Sequence, residues 1–126
     1  LIDHGIHQTD RDYRFIVAES SARQVLGYAC FGPTPLTEGV FDLYWIAVDQ
    51  AGHGKGTGRA IIEAVEAELR HIAARMILIE TASKPSYDAT RAFYDRTGYK
   101  EVARIPDFYR AGDDKVVYSK RLSGQP

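Results

Sequence analysis

The chain has 126 residues, 44% of them hydrophobic, and its charges nearly cancel at a formal net -1. That length suits one compact domain with a core, 1–126, and is too short for two; the balance excludes a chain built as a basic nucleic-acid or membrane-surface binder. No apolar run approaches the ~20 residues of a membrane span, nothing reads as a signal peptide, and the lone Cys30 excludes an internal disulfide, so the expected location is the cytoplasm.

Residues 1–11 are polar and read as the frayed end of a helix. Residues 13–18 (YRFIVA) and 24–31 (QVLGYACF) are rich in strand formers and flank a Ser20-Ser21 turn, which predicts a hairpin. Gly32-Pro33-Thr34-Pro35 opens a loop. Residues 40–48 (VFDLYWIAV) are apolar except for Asp42, the pattern of a central strand covered on both faces. After a glycine stretch, Ile61, Ile62, Val65, Leu69 and Ile72 recur at helical spacing and predict a helix over 57–74. Residues 76–80 (MILIE) form the next strand, and strand, loop, helix, strand makes it parallel to 40–48. A second helix is predicted over 88–97, with Ala89, Ala92 and Phe93 inward and Gly98 as its stop. Residues 99–105 and 115–121 close the chain as paired strands joined by the loop 106–112.

Gly52, Gly54, Gly56 and Gly58 fall on alternate positions, with Lys55 and Arg59 among them. Each glycine costs more backbone entropy on folding than any other residue, so bare backbone must be needed here. The stretch lies between a buried strand and a helix, where free amides and the positive end of the helix dipole attract an anion. A flexible turn is the plain alternative. A P-loop would need Ser or Thr after Lys55, where Gly56 stands. The dinucleotide fingerprint would need glycine at Arg59. No Cys/His spacing suits a metal.

LYWIAVDQAGHGKGTGRAII resembles the acetyl-coenzyme-A signature of the GNAT superfamily of N-acetyltransferases, (Arg or Gln)-x-x-Gly-x-(Gly or Ala), here on His53, Gly56 and Gly58. Phe93-Tyr94, followed by Gly98-Tyr99, is similar to a second family element, Phe-Tyr-x-x-x-Gly-(Phe or Tyr). The resemblance spans about 13–122. It implies an α+β fold: a mixed, mostly antiparallel sheet flanked by helices, with a splayed parallel pair of strands around the cofactor cleft. The family's N-terminal strand and helix are read as missing, which makes the domain N-terminally incomplete.

The resemblance further implies direct transfer of an acetyl group from acetyl-coenzyme A to a primary amine, small molecule or peptide, in a ternary complex, with no metal. Gly54, Lys55, Gly56, Thr57, Gly58 and Arg59 would hold the pyrophosphate through their amides. The backbone of Ile46, Ala47 and Val48 would pair with the pantetheine arm. His53 stands where the family has Arg or Gln, and Tyr87 where many members contact pantetheine through Asn. Tyr94, at the edge of its helix's inner face, is the candidate acid for the departing thiolate. Asp42, the one charge in its strand, and Glu80 are the candidate bases. Aromatic and acidic residues of 106–114 would suit a cationic amine. Neither nucleic acid nor membrane is expected as a partner, and a homodimer is common in the family. A non-catalytic acyl-coenzyme A sensing module and a nucleotide-binding domain are the competing readings.

Overall fold

The computed structural model describes residues 2–10 and 13–123. The strands are β1 (Ile2–Asp10), β2 (Tyr13–Ser20), β3 (Val25–Pro33), β4 (Val40–Val48), β5 (Met76–Ala82), β6 (Lys100–Arg110) and β7 (Asp113–Arg121). The helices are α1 (Thr57–His71) and α2 (Asp88–Arg96). The strands form one seven-stranded sheet in the order β1-β2-β3-β4-β5-β7-β6. All its pairs are antiparallel except β4 with β5, whose crossover is α1.

Residues 2–10 are not the end of a helix. They pair antiparallel with β2 from Ile2↔Ser20 to Gln8↔Arg14. The segment has no helical period of its own, and the open edge of β2 supplies hydrogen bonds that only a tertiary partner can offer. A strand therefore precedes the hairpin, contrary to the expectation that it is missing; no helix is seen between it and β2 among the described residues.

The β2–β3 hairpin matches its prediction, with Ile16↔Ala29 and Arg14↔Phe31 in register. Alternation then sends Ile16, Ala29, Phe31, Ile77 and Val116 to one face of the sheet, where all are fully buried. Ile61, Ile62, Val65 and Leu69 of α1 and Tyr94 of α2 pack on that same face. With both helices on one side, β4 is not covered on both faces as its composition predicts. Tyr44 and Trp45 keep 39% and 46% of their surface exposed, packed edge-on or tilted against Tyr13 and Phe15 of β2.

An irregularity in β4 shapes this end of the sheet. Cys30 pairs with Trp45 and Phe31 with Leu43, which leaves Tyr44 as an extra residue. Such a bulge bends its strand and ends regular pairing. On the other side of β4, pairing with β5 runs from Val40↔Met76 to Leu43↔Ile79 and stops at that point. Beyond it the two parallel strands diverge.

The helix ends follow local chemistry. α1 stops at His71, short of the predicted 74, and Ala73 turns the chain out with φ 61. α2 stops before Gly98, whose φ of 95 suits the left-handed exit. The expected loop 106–112 is mostly strand. β6 runs through Pro106 because it is an edge strand, where a missing N–H costs no ladder bond.

A buried ion pair joins the far sides of the core. Glu66 of α1, 4% exposed, accepts from Lys120 Nζ at 3.1 and 3.0 Å and from Tyr99 Oη at 2.8 Å. Lys120 also donates to the Thr97 carbonyl at 2.9 Å, so α1, the exit of α2 and β7 share one network.

Candidate active site

Where β4 and β5 part, three cavities adjoin one another. The first, about 530 Å³, lies at the glycine loop. It shares Ile46 and Thr90 with a second of about 450 Å³, on the line of the splay. The second shares Tyr44, Glu80 and Tyr109 with a third of about 290 Å³, on the helix-free side of the sheet.

The first cavity is built as an anion site. Gly56 is the N-cap of α1 at φ 73, ψ 16, and no side chain caps the helix. A residue with a Cβ resists that conformation. A Cβ at Gly54 or Gly56 would meet nothing within 4 Å, so the loop backbone faces open space. Thr57, at the first position of α1 and 1% exposed, lines the cavity, and its Oγ1 has no hydrogen-bond partner. That oxygen is sealed from solvent and lies against Gly52, so the hydroxyl packs the loop onto the start of α1 rather than facing the cavity. At Gly58 the two helices come close, and a Cβ there would stand 3.3 Å from the Phe93 ring.

Of the predicted cofactor residues, Ile46 and Val48 of β4, His53, Gly54 and Gly56 of the loop, and Thr57, Gly58 and Arg59 of α1 line this cavity. Ala47 and Lys55 do not. Ala47 alternates onto the other side of β4, opposite Tyr28, and Lys55 points outward at a loop tip. Tyr87 lines the second cavity instead. His53 does not reach across the site. Its Nε2 lies 2.9 Å from the Val48 carbonyl, and since a carbonyl only accepts, that nitrogen carries the proton. The ring thus ties the loop to the end of β4.

One wall of the site left no signal in the sequence. Ala89, Phe93 and Arg96 of α2 line the first cavity at helical spacing. Ala89 and Phe93 are expected from their spacing to face the core; an apolar stripe looks the same whether it meets a core or a cleft. Arg91 holds α2 in place, donating from Nη1 to the carbonyls of Ala82 at 2.6 Å and Lys84 at 3.2 Å, with Asp88 as a further partner. Asp113 Oδ1 accepts from the amides of Ser83 and Lys84, both at 3.1 Å, and so fixes the end of β5.

Tyr94 is not at the edge of the inner face but its most buried member, 4% exposed, packed on Phe93, Tyr99 and Tyr118. It lines the second cavity together with Ile46 and Glu80. Burial pushes its phenol up to about 12, with Tyr118 adding to the effect. Glu80 lies at the junction of the second and third cavities, held by Lys115 Nζ at 3.2 Å. Asp42 lines only the third. Burial raises its carboxyl above the ordinary value and the charge of Glu80 adds to that, while the Thr34 hydroxyl and Lys115 pull it back. Cys30 is fully buried with its thiol pushed up by desolvation, which suits inert packing rather than nucleophilic chemistry. Among the described residues no group of three or more His, Cys, Asp or Glu is placed to hold a metal ion, and no helix is long and apolar enough to cross a membrane.

Residues 11–101 match the sequence profile of the acetyltransferase (GNAT) domain. The chain belongs to the GNAT acetyltransferase family. Among solved structures, an acetyltransferase assigned to the GNAT family from Desulfovibrio desulfuricans shares 42% identity at a TM-score of 0.86, over 89% of this chain and 71% of that one. Two others share the fold at low identity. An aminoglycoside 6'-N-acetyltransferase complexed with coenzyme A is 16% identical, with a TM-score of 0.78 over 93% of this chain and 77% of its own. A protein of Bacillus anthracis assigned as a streptothricin acetyltransferase, in complex with acetyl coenzyme A, is 14% identical, with a TM-score of 0.79 over 91% and 65%. Among curated protein sequences none matches the chain. As a GNAT member the protein is an acyltransferase, and the splayed parallel pair that the resemblance implies is present.

Proposed function

We propose that the chain transfers an acetyl group from acetyl-coenzyme A to a primary amine, directly, in a ternary complex. The observation that carries this reading is the row of adjoining cavities from the glycine loop, past Tyr94 at the splay, to carboxylates on the opposite side of the sheet.

The first cavity fits a pyrophosphate: helix amides with no side-chain cap, and glycine backbone facing open space. Beyond Leu43, β4 has lost β5 as a neighbour, so its backbone can accept a strand-like ligand arm. The Val48 carbonyl is taken by His53, which leaves Ile46, present in both the first and second cavities, as the pairing residue nearest the thioester. Holding both reactants in this gap supplies much of the rate.

Tyr94 donates its proton to the leaving thiolate. Its raised pKa keeps the phenol protonated at all physiological pH values. For the base we assign Glu80 rather than Asp42. Glu80 shares the second cavity with Tyr94 and Ile46. Asp42 lies four residues before Ile46 on β4, roughly 13 Å along a strand, beyond the reach of one bridging water. Glu80 takes the ammonium proton through a water, and the freed amine attacks the thioester carbonyl.

Thermal unfolding with acetyl-coenzyme A, coenzyme A, ATP and NAD at equal concentrations tests the cofactor half, because a ligand of the native state raises its apparent stability. A rise with the two coenzyme A species alone is expected. No rise with acetyl-coenzyme A, or a rise with ATP or NAD in its place, would overturn the reading. Release of free thiol upon adding amines then tests transfer.

A further inference from the structure

The third cavity has no part in holding the cofactor, yet its lining is specific. Its charged side chains are Asp42 and Glu80, both acidic; the rest are Leu43, Leu78, Tyr44 and Tyr109. Lys115 is spent on Glu80, and its ammonium also sits 4.8 Å from the centre of the Phe108 ring. Asp42 and Glu80 thus give this cavity a wholly acidic charged lining, with the Thr34 hydroxyl and Lys115 acting on Asp42 from outside it. Two carboxylates on one cavity favour a ligand charge of opposite sign. An ammonium on an apolar stem supplies one, with the tyrosine faces adding cation–π attraction.

The geometry points to an acceptor with two cationic nitrogens, a linear diamine or a molecule containing one, whose distal ammonium is held by Asp42 while its proximal amine is acetylated beside Glu80 and Tyr94. This rests on the acetyl-transfer reading of the second cavity. Asp42 and Leu78 are register partners across β4 and β5, and Glu80 is two residues past Leu78. That offset is roughly 7 Å along the strand, which a stem of about five carbons spans. Asp42 is then a specificity residue rather than the base. An acceptor with a carboxylate at its far end would meet Asp42 without compensation and be rejected.

Titration calorimetry on the protein, with and without coenzyme A, tests this with three probes of matched length: the five-carbon α,ω-diamine, aminopentane, and the corresponding ω-amino acid. A charge-assisted hydrogen bond predicts that the diamine binds about tenfold tighter than aminopentane. The ω-amino acid should bind more weakly than either. Asp42→Asn should abolish the preference for the diamine and Asp42→Glu should keep part of it, each variant being checked for folding by its thermal transition. Equal binding of diamine and aminopentane, or a preference that survives Asp42→Asn, would sink the proposal. Coenzyme A that fails to bind would instead refute the acetyl-transfer reading, and the diamine comparison on the protein alone would still decide the role of Asp42.

Discussion

In the proposed reaction Tyr94 and Glu80 carry the chemistry at the scale of single side chains, and their surroundings make different demands on a test. Tyr94→Phe removes a hydroxyl and little packing, since the ring stays among Phe93, Tyr99 and Tyr118. It should lower kcat by ~10²-fold with the melting temperature nearly unchanged, as expected for loss of a general acid. A kcat within twofold of the parent would remove Tyr94 from the mechanism. Glu80→Gln should lower kcat/KM by ~10²-fold, as expected for loss of a general base. Lys115 would lose its partner in the same variant, so Lys115→Met is the control that separates charge balance from proton transfer. Both residues were visible as candidates in the sequence. The deep burial of Tyr94 was not, because a helix's inner face is set by what packs on it, and Tyr99 and Tyr118 arrive from distant parts of the chain.

Among the elements, β4 and the start of α1 make the site. The bulge at Tyr44 coincides with the end of the β4–β5 pairing, so deleting Tyr44 should leave the β3–β4 register continuous while straightening β4. The deletion is expected to fold cooperatively in urea but lose acetyl transfer; retained transfer would show that the splay does not depend on the bulge. Gly56 occupies a left-handed N-cap, where Gly56→Ala costs about 1–2 kcal/mol of strain. Its urea midpoint should fall accordingly, and its stabilisation by acetyl-coenzyme A should shrink. The glycine spacing announced this loop in the sequence. The bulge left no such trace, since VFDLYWIAV reads as an unbroken strand whichever residue is extra.

For the molecule as a whole, the Glu66 network and the buried tyrosines set the response to mutation and to pH. Lys120→Met strips a buried carboxylate of its main partner and should destabilise by ~2–3 kcal/mol, less than for a fully buried pair because Lys120 is partly exposed. Pairing it with Glu66→Leu should recover part of that loss, and urea titration of the two variants checks the coupling. Burial raises the phenol of Tyr94 to about 12 and that of Tyr99 higher, with Glu66 adding to the latter. Groups with raised folded-state pKa stabilise fully below their unfolded value near 10 and lose that contribution as pH climbs through the folded value. Stability should therefore fall steadily above pH ~10, and Tyr99→Phe should flatten the fall. An alkaline slope unchanged in Tyr99→Phe would place the loss elsewhere.

Local periodicity, glycine spacing and the two short motifs were enough, in the sequence alone, to define the hairpin, the βαβ unit, both helices, the glycine loop and the family. Each is a short-range pattern in which neighbours along the chain decide the conformation. Tertiary structure alone decided that residues 2–10 form an edge strand, that both helices share one face, that β4 breaks at Tyr44, and that Asp42 stands in a different cavity from Tyr94. Those outcomes depend on register and on which surfaces meet across the sheet. A composition read along one strand carries no record of its partners' offsets.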